Sequence, residues 1–475
     1  MNNLPDVDLT AWIFILLYLL SLIGIGFIAR NARKENSLKD FYLGGQGFGF
    51  LVLFLTFFAT QYSGNTFFAF TGATYRLGYF WTASLHFMTA VVIVYLIFAP
   101  KLHVLAKKHN FLTPSDYIMH RYHNKYLSVL ITLIMIIVLC NFTLAQLMAM
   151  GRAMQGLSSD GSIFAYKAGV IGLALIMVIY GTLGGIRAIA WTDALQGTIL
   201  LIGFFSLLAL MFDKYGTLEQ ATKILIERDL STGSKYTSPP GFYGSLEWLS
   251  YILAVGFGIS LYPQAIQRIY AAKNIIVLKK SLATMVFMPL PTMLISIIAG
   301  IFALAYIPGL SGAEADQAFG TILRELQNHS FIGYGLVILT LSAVLAAMMS
   351  TADSALLSMS SMITKDIIAS SKYTNIDENK LTLIGKCISW SLISILIILA
   401  LLFREDTSLV RLMDRKLDLL LQLVPAFILG IRWKTLTGNG VLLGILVGLS
   451  CTLIIIFGGY DFVDNGKVHG LHPGL

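Results

Sequence analysis

Residues 345–361 read LAAMMSTADSALLSMSS, inside a long apolar run. At ~100° of turn per residue, Ala347, Ser350, Thr351, Ser354, Ser358 and Ser361 share one face of a helix. Asp353 stands at the edge of that face, and Leu, Met and Ala cover the rest. A carboxylate and several hydroxyls on a lipid-length helix need protein, water or an ion against them. The hydroxyls by themselves also suit close helix packing in a membrane. Asp353 turns the balance toward a site.

Composition sets the surroundings of that helix. The 475 residues are 56% hydrophobic and 12% charged, where soluble domains carry about 25% charged residues. Mean hydropathy is +0.76. The chain is therefore expected to be an all-α integral membrane protein. The net charge of +8 is spread through short loops between apolar runs, which is how membrane topology is encoded, so nucleic acid is excluded as a partner. Cys140, Cys387 and Cys451 all lie in apolar runs without metal-ligand or CxxC spacing and read as small buried hydrophobes. Asp6 and Asp8 precede the first apolar run, and Arg30, Arg33 and Lys34 follow it. That order is the reverse of a cleavable signal and predicts a first helix with its N-terminus outside.

Twelve stretches are long enough to cross a hydrocarbon core of roughly 30 Å. They fall at 9–29, 48–74, 78–99, 127–152, 165–183, 190–212, 249–271, 281–307, 331–362, 383–403, 408–430 and 438–458. Threaded alternately, they gather Lys39, Lys101, Lys107, Lys108, Arg121, Lys273, Lys279, Lys280, Lys365, Arg432 and Lys434 on one side, which is expected to be cytoplasmic in a multi-pass protein of the cell membrane.

Two stretches are interrupted. FFATQYSGNTFFAFTG (57–72) puts Gln61, Ser63, Gly64, Asn65 and Thr66 at mid-membrane, and AVGFGISLYPQAIQR (254–268) puts Gly256, Gly258 and Pro263 beside Tyr262, Gln264 and Gln267. They are five segments apart. Broken helices at matching places in two halves point to a midplane binding site, because unwound backbone and half-helix ends supply donors and carbonyls there. Each break alone is equally a Gly or Pro kink. The chain divides on this basis into one transporter domain over 1–475: an added helix at 9–29, five-helix repeats at 48–212 and 249–430, and an added helix at 438–458. GKVHGLHPGL (466–475) reads as the approach to a further, missing span.

Sodium is a small hard cation that needs about five or six oxygens, which hydroxyls and freed carbonyls provide. Ser350 and Thr351, with carbonyls near Ala59 and Tyr62, suit it. In YGTLGGIRAIAWTDALQG (180–197), Gly181, Gly184 and Gly185 supply a turn, and Asp193 follows either as a carboxylate on the helix dipole or partner for Arg187, or as a cation ligand or proton acceptor facing 345–361. His86 reads as a proton relay or as hydrogen-bonded core. Arg411, Asp414, Arg415, Lys416 and Asp418 make the eleventh segment amphipathic, as at a solvated vestibule.

GTLGGIRAIAWTDALQG (181–197), AIQRIYAAKN (265–274), AAMMSTADSALLSMSSMITKD (346–366) and LQLVPAFILGIRWKTLTGNG (421–440) together resemble the sodium:solute symporter family over roughly residues 10–455. The resemblance implies the inverted five-plus-five fold of a bacterial leucine transporter. It implies sodium as coupling ion at the carbonyls of Ala59, Tyr62 and Ala347 and the hydroxyls of Ser350 and Thr351. A second cation site corresponds to Asp193, Ser350, Asp353 and Ser354, where Asp353 replaces the small or hydroxyl residue usual in the family. Gln61 stands where the proline-transporting branch has an aspartate, and LYPQAIQR (261–268) is closest to members moving small carboxylates.

The expected protein is a sodium-coupled symporter, not an enzyme, with no cofactor beyond sodium. It imports a small organic solute of the monocarboxylate, amino-acid, vitamin or sugar class by alternating access. The solute is expected at Gln61, Tyr62, Ser63, Gly64, Tyr262 and Gln264. The rival expectations are proton coupling through Asp193 and Asp353, and a transporter-like solute sensor.

Overall fold

The computed structural model describes residues 9–33, 35, 37–157, 162–229, 235–310, 312–327, 331–370, 377–403, 409–458, 460, 463–464 and 467–475. The helices of the first half are α1 (Leu9–Asn31), α2 (Leu38–Leu43), α3 (Phe50–Gln61), α4 (Gly64–Leu77), α5 (Ala83–His109), α6 (Pro114–Tyr122), α7 (Lys125–Leu157), α8 (Ile163–Gly184), α9 (Ile186–Tyr215) and α10 (Leu218–Asp229). Those of the second are α11 (Phe242–Ser260), α12 (Pro263–Ala271), α13 (Ile275–Met285), α14 (Pro289–Tyr306), α15 (Ala318–Gln327), α16 (Phe331–Met362), α17 (Glu378–Leu402), α18 (Leu409–Leu421) and α19 (Gly438–Phe457). Two short strands, β1 (Val463–Asp464) and β2 (Lys467–Val468), pair antiparallel.

Among the described residues, ten helices are long and apolar enough to cross a membrane, two fewer than the twelve stretches marked in the sequence. The reasons are local. The 48–74 stretch is cut into α3, too short to span, and α4, which continues into α5 through a 3-10 turn at Gly78–Thr82. The 408–430 stretch becomes α18, 13 residues with charges on one side, followed by a π-turn at Pro425–Leu429.

Both expected breaks are present. The first lies at Tyr62 and Ser63, whose backbones are extended (φ −108°, ψ 96° and φ −89°, ψ 164°). The second lies at Leu261 and Tyr262, after which Pro263 opens α12 at a first-turn position where its missing N–H costs nothing. α16 is the most buried of the ten spans and packs on α3, α7, α9 and α12. The quoted stretch is therefore the axis against which both broken helices rest.

Small residues permit this density. A Cβ on Gly300 of α14 would meet the Thr74 Cβ at 2.4 Å and the Thr71 carbonyl at 2.8 Å on α4. Overpacking against backbone outweighs the helix propensity that alanine gains, so Gly300→Ala is expected to lower stability by about 1–3 kcal/mol, read by unfolding in detergent.

Residues 467–475 fold back between α11 and α18. The Lys467 ammonium pairs with Glu247 and donates to the Tyr251 hydroxyl at 2.8 Å. The His472 amide donates to Ser250 Oγ at 2.7 Å, and the Gly474 amide to Asp418 Oδ1 at 3.1 Å.

Candidate cation and solute sites

The turn expected before Asp193 is made by Gly185, at φ +62°, where a Cβ would lie 2.4 Å from the Phe41 carbonyl. It sends Arg187 toward α2. There the guanidinium grips Asp40 with two bonds of 2.7 Å and reaches the Gly44 carbonyl at 3.1 Å. Arg187 is thus not the partner of Asp193. A surface hollow of about 470 Å³ lies beside this pair, lined by Lys39, Asp40, Arg187 and Trp191, at the basic end of the molecule and away from the breaks.

Asp193 faces the opposite way, into the core. One carboxylate oxygen accepts from Ser350 of α16. The other accepts from Thr56 of α3 and from Arg268 Nη2 of α12, the latter at 2.8 Å. Arg268 also donates to Thr56 Oγ1 (2.8 Å), Ser354 Oγ (2.6 Å) and the Gln264 carbonyl (3.1 Å). Asp353 takes hydrogen bonds from the Tyr180 hydroxyl and, at 3.2 Å, from Ser354. Asp193, Arg268 and Asp353 are all buried. Ser354 thus links the Arg268–Asp193 pair to the Asp353 carboxylate, and two buried carboxylates stand beside one arginine network.

The residues expected to hold sodium are all buried, on or at the end of two helices that pack together, α3 and α16, and Thr56 of α3 and Ser350 of α16 share the Asp193 carboxylate. The helical ladder of α3 ends with the Tyr62 amide on the Phe58 carbonyl at 3.1 Å. The carbonyls from Ala59 to Tyr62 are therefore helix-end acceptors. On α16, Thr351 Oγ1 lies 2.9 Å from the Ala347 carbonyl, so two of the expected ligands are already neighbours. Three carbonyls and two hydroxyls form a neutral five-oxygen set of the kind a hard monovalent cation accepts.

The expected solute residues divide. Gln61 donates to the Tyr95 hydroxyl at 2.6 Å, and its own carbonyl oxygen is buried without a partner. The Tyr262 hydroxyl and both side-chain ends of Gln264 are buried and unpartnered as well. Tyr62 and Ser63 are buried at the first break, while the surroundings of Gly64 lie outside the described residues. Buried polar groups are almost always paired, and each unpaired one costs about 1–3 kcal/mol. Several around one pair of helix breaks are what a polar ligand would satisfy.

Other residues of the sequence reading take different places. Ser358 and Ser361 bond the two ends of the Gln267 amide, at 2.6 and 2.5 Å, and so knit α12 to α16. His86 is exposed with its ring 5.3 Å from Trp248, which suits packing and not a relay. Arg411 and Asp414 lie outside the described side chains, but Lys416 and Asp418 are buried, in contrast to the solvated vestibule expected. Asp418 is covered by the tail, with the His472 ring at 3.4 Å, and the Lys416 ammonium rests 3.7 Å from the Phe142 ring centroid.

A family model described as "Sodium:solute symporter family" matches residues 41–448. The sodium/pantothenate symporter of Haemophilus influenzae is 27% identical over 451 residues, covering 93% of this chain and 89% of that protein. The sodium/proline symporter of Escherichia coli is 24% identical over 458 residues, covering 92% and 86%. Among solved structures, a Na+-coupled sialic acid symporter in a substrate-bound, outward-open state superposes with a TM-score of 0.76 at 17% identity, over 96% of this chain and 93% of that one. This likeness establishes the shared fold.

Proposed function

The chain belongs to the sodium:solute symporter family, over residues 41–448, and we propose that its sodium ion sits where the break in α3 meets α16. The ligands would be the carbonyls of Ala59, Tyr62 and Ala347 with the hydroxyls of Ser350 and Thr351. The observation that supports this reading is that α3 packs on α16, with Thr56 of α3 and Ser350 of α16 bonded to the same Asp193 carboxylate and the five expected ligands all buried. Such a site ties the first broken helix to the central one, so sodium would stabilise one conformation and its release would free the other. No covalent step is involved. The repeats 48–212 and 249–430 are the bodies we assign to this motion.

The solute would lie between the breaks, near Tyr62, Ser63 and Gly64 and bonded to Gln61, Tyr262 and Gln264, and the unpartnered atoms of these last three support the placement. Relatives named for pantothenate and proline suggest a solute of that size. The second charge centre comprises Asp193, Ser350, Asp353 and Ser354. Arg268 already donates to Asp193 and Ser354, so an added cation finds Asp353 as its remaining carboxylate. We place the protein in the cell membrane with its N-terminus outside, supported by the basic loops.

Uptake into proteoliposomes under a sodium gradient tests the assignment, with pantothenate, proline, lactate, propionate, glucose and uracil as probes. Thr351→Ala and Ser350→Ala are each expected to raise the sodium concentration for half-maximal uptake about tenfold or more, the worth of one bond to a charged group. Unchanged sodium dependence in both variants overturns it. The surplus carboxylate favours one other reading, proton coupling through Asp193 and Asp353, which predicts uptake in potassium that follows pH.

A further inference from the structure

Tyr42 docks α2 on α17: its hydroxyl bonds Ser360 Oγ at 2.9 Å and fills the space that a Cβ at Gly385 would need. This contact sets Lys386, the next residue of α17, beside the buried Phe41 ring, with its ammonium 5.4 Å from the ring centroid. Arg33 comes to the same ring from beyond the end of α1, its guanidinium carbon at 5.2 Å. The Arg33 side chain is 9% exposed, and its Nε and Nη2 are buried without a hydrogen-bond partner. Arg30, three residues earlier, is near enough to repel both Arg33 and Lys386.

The negative charge at this cluster is already engaged. Asp40 is held by Arg187 through two bonds of 2.7 Å, and Arg33 reaches it only at 3.8 Å. Among the described residues, no ion pair or side-chain hydrogen bond reaches Arg30 or Lys386. Glu35 is exposed and lines the hollow beside Arg187, so Arg30, Arg33, Arg187 and Lys386 stand against two carboxylates. A guanidinium with idle donors, crowded by cations of its own sign, is costly unless an anion joins them. Phosphate oxygens suit that place, because they accept from a guanidinium fork and from an ammonium together.

The flanks of the cluster are apolar. Phe27 and Ile28 of α1 and Leu383 and Trp390 of α17 are exposed, within about one turn of Arg30 and Lys386 along their helices. Both helices are apolar spans with most of their surface outward, so these side chains meet lipid. A tryptophan one turn from a snorkelling lysine marks headgroup depth. We propose that Arg30, Arg33 and Lys386 hold the phosphate of an anionic phospholipid, with Phe27, Ile28, Leu383 and Trp390 against its acyl chains. The lipid belongs to the leaflet that the basic loops face, where basic pockets between spanning helices suit such headgroups. The site shares no residue with the sodium or solute sites.

The test is thermal unfolding of the purified full chain in detergent micelles carrying phosphatidylglycerol, phosphatidylcholine, or phosphatidylcholine with inorganic phosphate in the buffer. In the parent protein, phosphatidylglycerol is expected to raise the melting temperature saturably, and phosphatidylcholine is expected to give no such rise, with or without phosphate. Arg33→Gln and Lys386→Gln are each expected to raise the half-saturating fraction of phosphatidylglycerol about fivefold, the effect of one basic residue near anionic lipid, and the double variant to lose the preference. Lys101→Gln, which removes an exposed cation of α5, is expected to leave it unchanged. Melting in phosphatidylcholine reports that each variant is folded. The comparison of lipids in the parent protein needs no variant.

Equal stabilisation by the two lipids, or a preference intact in the double variant, overturns the proposal. So does a preference weakened as much by Lys101→Gln as by Lys386→Gln, which would make it a matter of overall surface charge. Inorganic phosphate that stabilises as well as phosphatidylglycerol assigns the cluster to a free anion and overturns the lipid.

Discussion

Arg268→Leu is expected to unfold with about 3–5 kcal/mol less stability than the parent, the cost of leaving a buried carboxylate without its counter-charge. The reason lies in how many elements one guanidinium joins. It reaches Thr56 on α3, Asp193 on α9 and Ser354 on α16 from its own place on α12, and it bonds the Gln264 carbonyl as well. Removing it strips donors from three helices at once and leaves the buried Asp193 carboxylate without its ion-pair partner. Lysine is not a substitute, because a single ammonium cannot copy a planar fork of five donors. Combining Arg268→Leu with Asp193→Asn is expected to restore most of the loss, since the double variant removes charge and counter-charge together. Unfolding in mixed detergent micelles measures all three proteins. A single variant as stable as the parent would show that the pair is not held as the geometry has it.

This arrangement marks the limit of what could be read in advance. The breaks at Tyr62 and Tyr262 were legible because Gly, Ser, Asn and Pro interrupt otherwise apolar runs, and backbone preference acts locally. The turn at Gly185 was legible for the same reason. The pairing of charges was not. Arg187 is six residues from Asp193 and looked like its partner, yet it is Asp40, from a short helix far earlier in the chain, that takes Arg187. Arg268 stands inside one of the motifs quoted for the family, but its role depends on an aspartate 75 positions away. Nothing in the spacing of either residue announces the other.

The burial of Lys416 was illegible for a different reason. Its neighbours in sequence are Arg411, Asp414, Arg415 and Asp418, a cluster that reads as a solvated face. The rings that enclose it come from Phe142 and Tyr262, on other helices. Hydropathy averages over a window, so it cannot separate one buried ammonium from a row of exposed ones. The signal available was the contrast between a charged first half of the segment and its apolar second half, and that contrast does not tell which charge turns inward.

Asp353→Asn should move stability and sodium affinity in opposite directions, and this opposition separates a binding role from a structural one. The carboxylate is buried, held by Tyr180 and Ser354, and the ion pair of the nearby guanidinium goes to Asp193, with Ser354 between. Asparagine can keep a carbonyl for Tyr180 and removes the surplus charge. Burying a carboxylate that has no ion-pair partner is costly, so replacing it with a neutral amide of similar volume is expected to raise stability. A residue kept only for the fold would not show that gain. Asp353 is three residues beyond Ser350 on the same helix, which puts the two side chains about 5–6 Å apart. At an effective dielectric near 20, a charge several ångströms from a cation contributes about 2 kcal/mol, so its loss is expected to raise the sodium concentration for half-maximal stabilisation about tenfold or more. Melting temperature without sodium and its dependence on added sodium give both quantities from one titration. A variant less stable than the parent, with sodium affinity unchanged, would make Asp353 a structural acceptor for Tyr180. A more stable variant that binds sodium poorly would mean that this chain keeps a destabilising charge at its centre because the charge draws in the coupling ion.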